Sequence, residues 1–216
     1  MSTLSGPAPT GAVPTAGGLP PRIAMTPAAR RVLDAAARLF YGRGIHAVGV
    51  DLIAAEAGVT KKTIYDRFGS KEQIVVEYLA ERDERWREFL AGYLEAAGAE
   101  APDPAARIRA VFDASRDWMR ANSPRGCSMV NAHAEISDPA HLANPIITGQ
   151  KQWMLDLFTG LAREVEAASA DQAGQALMLL HEGALVAHGL GTFPDPIGRA
   201  RDQALNLLTS RVADLD

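Results

Sequence analysis

The sequence predicts an all-α chain built from two helical parts. Apolar residues recur at spacings of three and four along most of its length, glycine and proline cut those recurrences at regular intervals, and no stretch keeps a period-two alternation bounded by hairpin turns. With 216 residues, 47% of them hydrophobic, the chain is long enough for one sizeable core or two small ones.

The elements follow in order. Residues 1–25 are mostly Ser, Thr, Pro, Gly and Ala, which cannot bury enough apolar surface to offset ordering entropy, so a disordered, passive arm is expected. Thr26-Pro27 is an N-cap with proline at the first helical position; Val32, Leu33, Ala36, Leu39 and Phe40 share one face, and Gly42 and Gly44 end the segment. A short helix fits 50–57, with Gly58 as its stop. Thr60 caps a third over 61–68, and Ser70 caps a long fourth of about 25 residues. Further helices are expected near 105–121 and 127–136, after Pro145, and over 172–191 and 196–213.

Composition narrows the function classes. The single cysteine, Cys127, excludes an intramolecular disulfide and a four-cysteine zinc site. The uninterrupted apolar runs are too short for a membrane span, and the basic start and apolar block of a secretory signal are not seen, so a cytoplasmic protein is expected. The net charge of -4 conceals a division: residues 22–71 carry nine basic and four acidic side chains, whereas residues 72–216 carry 13 and 22. A basic module joined to an acidic one suits a polyanion partner for the first alone. His181-Glu182 opens like a zinc-protease motif, but Leu185 stands where the second histidine is needed. Cys127, His133, His181, Glu182 and His188 contain no close ligand pair, so no metal or cofactor is expected.

The stretch from Val50 to Phe68 carries the most information. One helix ends at Gly58, turns through Val59 and Thr60, and a second begins with Lys61, Lys62 and Thr63. The start of a helix attracts anions through its free N–H groups and dipole, and helix-turn-helix proteins present that end to the major groove. Residues 30–79, nearly a quarter of the chain, resemble the DNA-binding domain of the TetR family of transcriptional regulators. The likeness rests on Val32 to Phe40, Gly44, Val50, Ile53-Ala54, Ala57-Gly58-Val59, Thr63, Tyr65, Phe68 and Ser70-Lys71-Glu72. It implies that Thr60, Lys61, Lys62 and Thr63 open the recognition helix and that Tyr65 and Lys71 meet phosphates. Two departures stand out: Gly49 where the family usually has Ser or Thr, and Arg67 where it has His or an aromatic residue. Arg67 joins the expected DNA contacts.

Residues 26–71 are thus expected to form a three-helix helix-turn-helix domain, and 72–216 a helical effector-binding and dimerisation domain. Trp118, Met119, Met129, Trp153 and Phe158, with Asn131 and His133 as polar contacts, are the expected lining for an apolar or aromatic effector. The 172–191 helix is apolar around most of its circumference and needs cover on two sides, from its own core and from a partner. Leu177, Leu180, Ala184 and Ala187, with Ala204 and Leu208 of the last helix, are the expected contacts of a four-helix homodimer interface, which is also how the family dimerises. The reading is a ligand-responsive repressor, not an enzyme, that binds a palindromic operator as a homodimer, the long fourth helix acting as a lever. The alternative is a helical small-molecule-binding or catalytic protein whose N-terminal domain is only structural.

Overall fold

Periodicity and capping both appear in the computed structural model, which describes residues 18–99, 103, 105–165 and 169–213. Among these residues the chain forms helices and no strands: α1 (Pro27–Arg43), α2 (Val50–Ala57), α3 (Lys61–Phe68), α4 (Lys71–Ala99), α5 (Ala106–Asn122), α6 (Ser128–Glu135), α7 (Asn144–Glu164), α8 (Ala170–Leu190) and α9 (Pro196–Ala213). Among the described residues no helix is long and apolar enough to cross a membrane. The expected caps form. Thr26 accepts from the Ala29 amide at 3.3 Å and Ser70 from that of Gln73 at 3.1 Å. α1 runs through Gly42 and stops at Gly44, whose φ of 90° ends it.

Two cores organise the molecule. The first gathers Leu33, Phe40, Ile53, Ile64, Phe68, Ile74 and Leu79, and reaches across to Met129, Ile146 and Ile147 of α6 and α7. The second holds Leu90, Ile108, Phe112, Met154, Phe158, Leu161 and Leu177, with Ile197 and Ala204 of α9. Full burial of one such side chain contributes about 1.5–3 kcal/mol before the entropy of ordering it is subtracted. α4 serves both cores, the first through Ala80 and the second from Trp86 onward. The packing therefore changes over inside α4, beyond the division expected at residue 71.

α7 and α8 lie close because Gly174 has no side chain: a Cβ there would stand 2.8 Å from the Thr159 Cα. A second close approach seats the end of α8 on the loop before α6, where a Cβ on Gly189 would stand 2.8 Å from the Arg125 carbonyl carbon. That loop is also fastened to α1. Tyr41 donates to the Gly126 carbonyl at 3.1 Å and accepts from the Arg125 amide at 2.8 Å, while the Arg125 guanidinium reaches the carbonyls of Tyr41 and Gly42 at 3.0 and 2.6 Å.

The arm expected to be disordered over 1–25 needs correction at its C-terminal end; residues 1–17 lie outside the described residues. Residues 18–25 run along α4. Arg22 pairs with Glu77 at 2.7 Å and Glu84 at 2.5 Å, the Ile23 amide donates to Glu77 at 2.8 Å, and Ile23 and Met25 pack on the first core. Composition understated this segment because three anchoring residues suffice when the partner helix offers a buried carboxylate.

Candidate nucleic-acid interface

The turn between α2 and α3 has the geometry its residues require. Gly58 takes the left-handed conformation (φ 62°, ψ 39°), and the Val59 amide bonds back to the Ala54 carbonyl at 3.0 Å. Val59, half-buried, packs on the first core, and Ile64 and Phe68 anchor α3 from within. The inward positions of this eight-residue helix are thus committed, and its remaining side chains face outward.

Thr60, Lys61, Lys62, Tyr65 and Arg67 are all exposed, and Thr63 is half-exposed. Thr60 is engaged locally: its hydroxyl caps the Thr63 amide at 3.1 Å and meets the Thr63 hydroxyl at 2.9 Å. Lys61 pairs with Asp51 at 2.5 Å and Lys62 with Asp66 at 2.6 Å. Exposed pairs of this kind contribute at most about 1 kcal/mol, so a phosphate or a guanine edge can exchange for the carboxylate. Arg67 has no ion pair among the described residues. Tyr65 is 50% exposed, which leaves its hydroxyl free for a backbone phosphate.

Lys71 differs from the other six. It is half-buried beside a hollow shared with His46, Glu135 and His141, and desolvation pushes its ammonium below the ordinary value, with the Glu135 charge opposing. Gly49 caps α2 without a side-chain bond, and a Cβ there would meet nothing within 4 Å, so a hydroxyl would fit.

The residues expected to line one effector pocket do not converge. Trp118, Met119 and Met129 border a hollow of about 40 Å³ together with Ser115, Gln150 and His181. Trp153 borders a separate open cleft between α4 and α7. Asn131 borders a third space at the junction with α1, where it donates to the Arg125 carbonyl at 3.2 Å. Phe158 is fully buried against Phe112 and His181, so it is core and cannot touch a ligand in this arrangement. His133 is exposed and borders none of these spaces. Helical spacing assigned these residues to helices but could not say which face each helix turned inward.

The expected dimer contacts are corrected in the same way. Leu177, Ala184, Ala204 and Leu208 pack inside the protomer's second core, with exposures from 0% to 9%. Only Leu180 and Ala187 are half-exposed. The uncovered stripe of α8 is instead Leu179, Val186 and Leu190, continued by Phe193, with exposures of 75%, 44%, 72% and 47%.

Several pairings carried no warning in the sequence. Lys151 sits between Glu182, at 2.9 Å from both carboxylate oxygens, and the Cys127 Sγ at 3.3 Å. His181, 3% exposed, bonds through Nε2 to Ser115 at 2.9 Å. Arg82 bonds to the Asn122 carbonyl at 2.9 Å and to the Ser123 hydroxyl. Among the described residues no three His, Cys, Asp or Glu side chains are placed to hold a metal ion.

Comparison with known proteins agrees with this geometry. The family model described as bacterial regulatory proteins, tetR family, matches residues 32–78. The crystal structure of a TetR-family transcriptional regulator from Streptomyces coelicolor is 34% identical, with a TM-score of 0.76, over 85% of this chain and 95% of that one. Among curated proteins, the HTH-type transcriptional activator FasR of Mycolicibacterium smegmatis is 31% identical over 109 residues, 50% of this chain and 48% of that protein. The HTH-type transcriptional regulator LmrA of Bacillus subtilis is 37% identical over 83 residues, 38% of this chain and 42% of that protein. The chain thus spans less than half the length of the curated relatives it matches. A relative 34% identical across nearly its whole length, together with the family model matched over the helix-turn-helix, places this chain in the TetR family of transcriptional regulators.

Proposed function

We propose that the protein is a ligand-responsive repressor that binds a palindromic operator as a homodimer in the cytoplasm, with residues 26–71 reading DNA and 72–216 holding the effector and the partner subunit. The observation that carries this reading is the uncovered apolar stripe Leu179–Val186–Leu190–Phe193 on the same chain as an outward-facing α3. Such a stripe calls for cover. A second copy related by a two-fold axis supplies it and sets two α3 helices side by side. Two such helices read inverted half-sites about 34–36 Å apart, or a multiple of that spacing. Thr60, Lys61, Lys62, Thr63, Tyr65, Arg67 and Lys71 supply the DNA contacts in this reading, Lys71 after leaving its hollow.

Repression needs only occupancy, since a protein seated over a promoter blocks the polymerase without any further contact. Footprinting on DNA flanking its own gene, with a promoter reporter in cells with and without the gene, tests the proposal. A symmetric footprint and a reporter that rises on deletion are expected. A short asymmetric site bound by a monomer overturns the dimeric reading, and a reporter that falls on deletion makes the protein an activator.

A further inference from the structure

Between α4 and α7 lies an open cleft of about 710 Å³, walled by Arg87, Ile146 and Trp153 and roofed by Leu19 and Pro20. Asp83 and Gln150 line this cleft and also the small inner hollow that contains His181, so they form the partition between the two spaces. Both carry buried acceptor atoms without a hydrogen-bond partner. Gln150 is 7% exposed, and its Oε1 is unbonded. Asp83 accepts from Arg87 on Oδ2 at 2.9 Å while its Oδ1 is left bare. Buried acceptors are costly to leave unmade. Burial also raises the pKa of the Asp83 carboxyl above its ordinary value, against the pull of Arg87 and Lys151. The same Arg87 guanidinium lies 4.1 Å from the centre of the Trp153 ring, a face that already holds a cation.

The occupant that fits brings N–H donors and positive charge to the partition and an apolar body to Trp153 and Ile146. A carboxylate or phosphate would meet the carboxylates of Asp83, Glu84 and Asp156, which outnumber Arg22 and Arg87 along this cleft. We propose that this cleft is the effector site and that its ligand is an amine or amidine with an aromatic or aliphatic body, its cationic head between Asp83 and Gln150. The inference rests on the reading of the chain as a ligand-responsive regulator and specifies both the site and the ligand class. It also supplies a route to DNA. The roof residues lead through Arg22, which is bound to Glu77 and Glu84, directly into α1. A ligand that lifts the roof therefore acts on the helix-turn-helix domain, to the extent that it binds the two arrangements unequally.

The test uses the full chain and matched probes: 2-phenylethylamine, tryptamine and benzamidine against 2-phenylethanol and 3-phenylpropionate. Binding is read by tryptophan fluorescence and calorimetry, and operator release by anisotropy. At least one cationic probe should bind about tenfold or more tighter than the alcohol, with no binding of the carboxylate. Asp83→Asn and Gln150→Leu should each weaken that probe by about tenfold or more, with folding checked by circular dichroism. Glu88→Gln, an exposed position on α4 outside the cleft, should bind it as the parent does. The proposal is overturned if no cationic probe binds, if the carboxylate binds as tightly, or if both variants keep full affinity. Should neutral or anionic compounds release the operator irrespective of Asp83, the protein is ligand-responsive and the site and class are wrong. If no compound in a broad panel releases it, the ligand-responsive reading fails as well.

Discussion

The guanidinium of Arg22 donates through Nε to Oε2 of Glu77 at 2.7 Å, and closes over a carboxylate that is only 1% exposed. The other Glu77 oxygen accepts from the Ile23 amide at 2.8 Å and the Gln73 amide group at 3.1 Å. A buried charge inside α4 is thereby neutralised by a residue that precedes the first helix.

Arg22→Ala should destabilise the protein although Arg22 itself is exposed. It leaves Glu77 with amide donors but no counter-charge, at a cost of roughly 1–3 kcal/mol. A chain of this size loses about 2–4 °C of melting temperature per kcal/mol, so calorimetry should register a fall of several degrees. An unchanged melting temperature would mean that residues 18–25 lie on α4 without holding it.

On the DNA face, Arg67 is exposed and has no ion pair among the described residues, so it has nothing to surrender on binding. Arg67→Ala should weaken binding to all sequences alike and flatten the logarithmic salt dependence by about one unit for each phosphate that a subunit no longer neutralises. Lys62→Ala should act differently if the lysine reads a base, relaxing discrimination at one position by about 1–3 kcal/mol. Binding titrations at several salt concentrations, on operator and on scrambled DNA, separate the two behaviours. A salt slope unchanged in Arg67→Ala removes that residue from the interface.

Position on α8 decides what a charge does there. Leu179→Glu places a carboxylate on the uncovered stripe, 75% exposed in the protomer, and should leave the fold intact while yielding monomers in sedimentation. Ala184→Glu places it inside the second core and should instead unfold the protein, since a buried unpaired charge costs several kcal/mol. A Leu179→Glu protein that stays dimeric would move the interface off this stripe.

Glu182 gives the acid side of the stability curve. Burial alone would raise its pKa, but the Lys151 ammonium at 2.9 Å and the His181 ring at 3.4 Å outweigh that and hold it at about 2, against an ordinary 4.5. A depressed carboxylate stabilises the fold fully above its unfolded pKa and loses that contribution as pH falls through the folded one. Glu182→Gln should therefore cost stability at neutral pH, on the order of 3 kcal/mol, and the gap to the parent should close between about pH 5 and pH 2. Denaturant titrations across that range check it. A gap independent of pH would assign the loss to packing.

The helices were legible because their causes are local. Thr26, Thr60 and Ser70 cap, Gly44 and Gly58 stop, and Val32 to Phe40 repeat at helical spacing, all within a few residues of one another. The helix-turn-helix was legible for the same reason, since its turn and both flanking helices occupy one short run from Val50 to Phe68. What the sequence could not decide was rotation and convergence. α8 is apolar on nearly every side, so its pattern is equally consistent with burying Leu177 or Leu179, and only packing on α5, α7 and α9 turned Leu177 inward and left Leu179 bare. Trp118 and Trp153 share a composition signature but border different spaces, with Asp83 and Gln150 lining both. Arg22 and Glu77 are 55 residues apart, and no local pattern links them. Capping and periodicity act over one or two turns of chain and are written in sequence; burial, pairing and pocket formation depend on residues that meet only after the helices have docked.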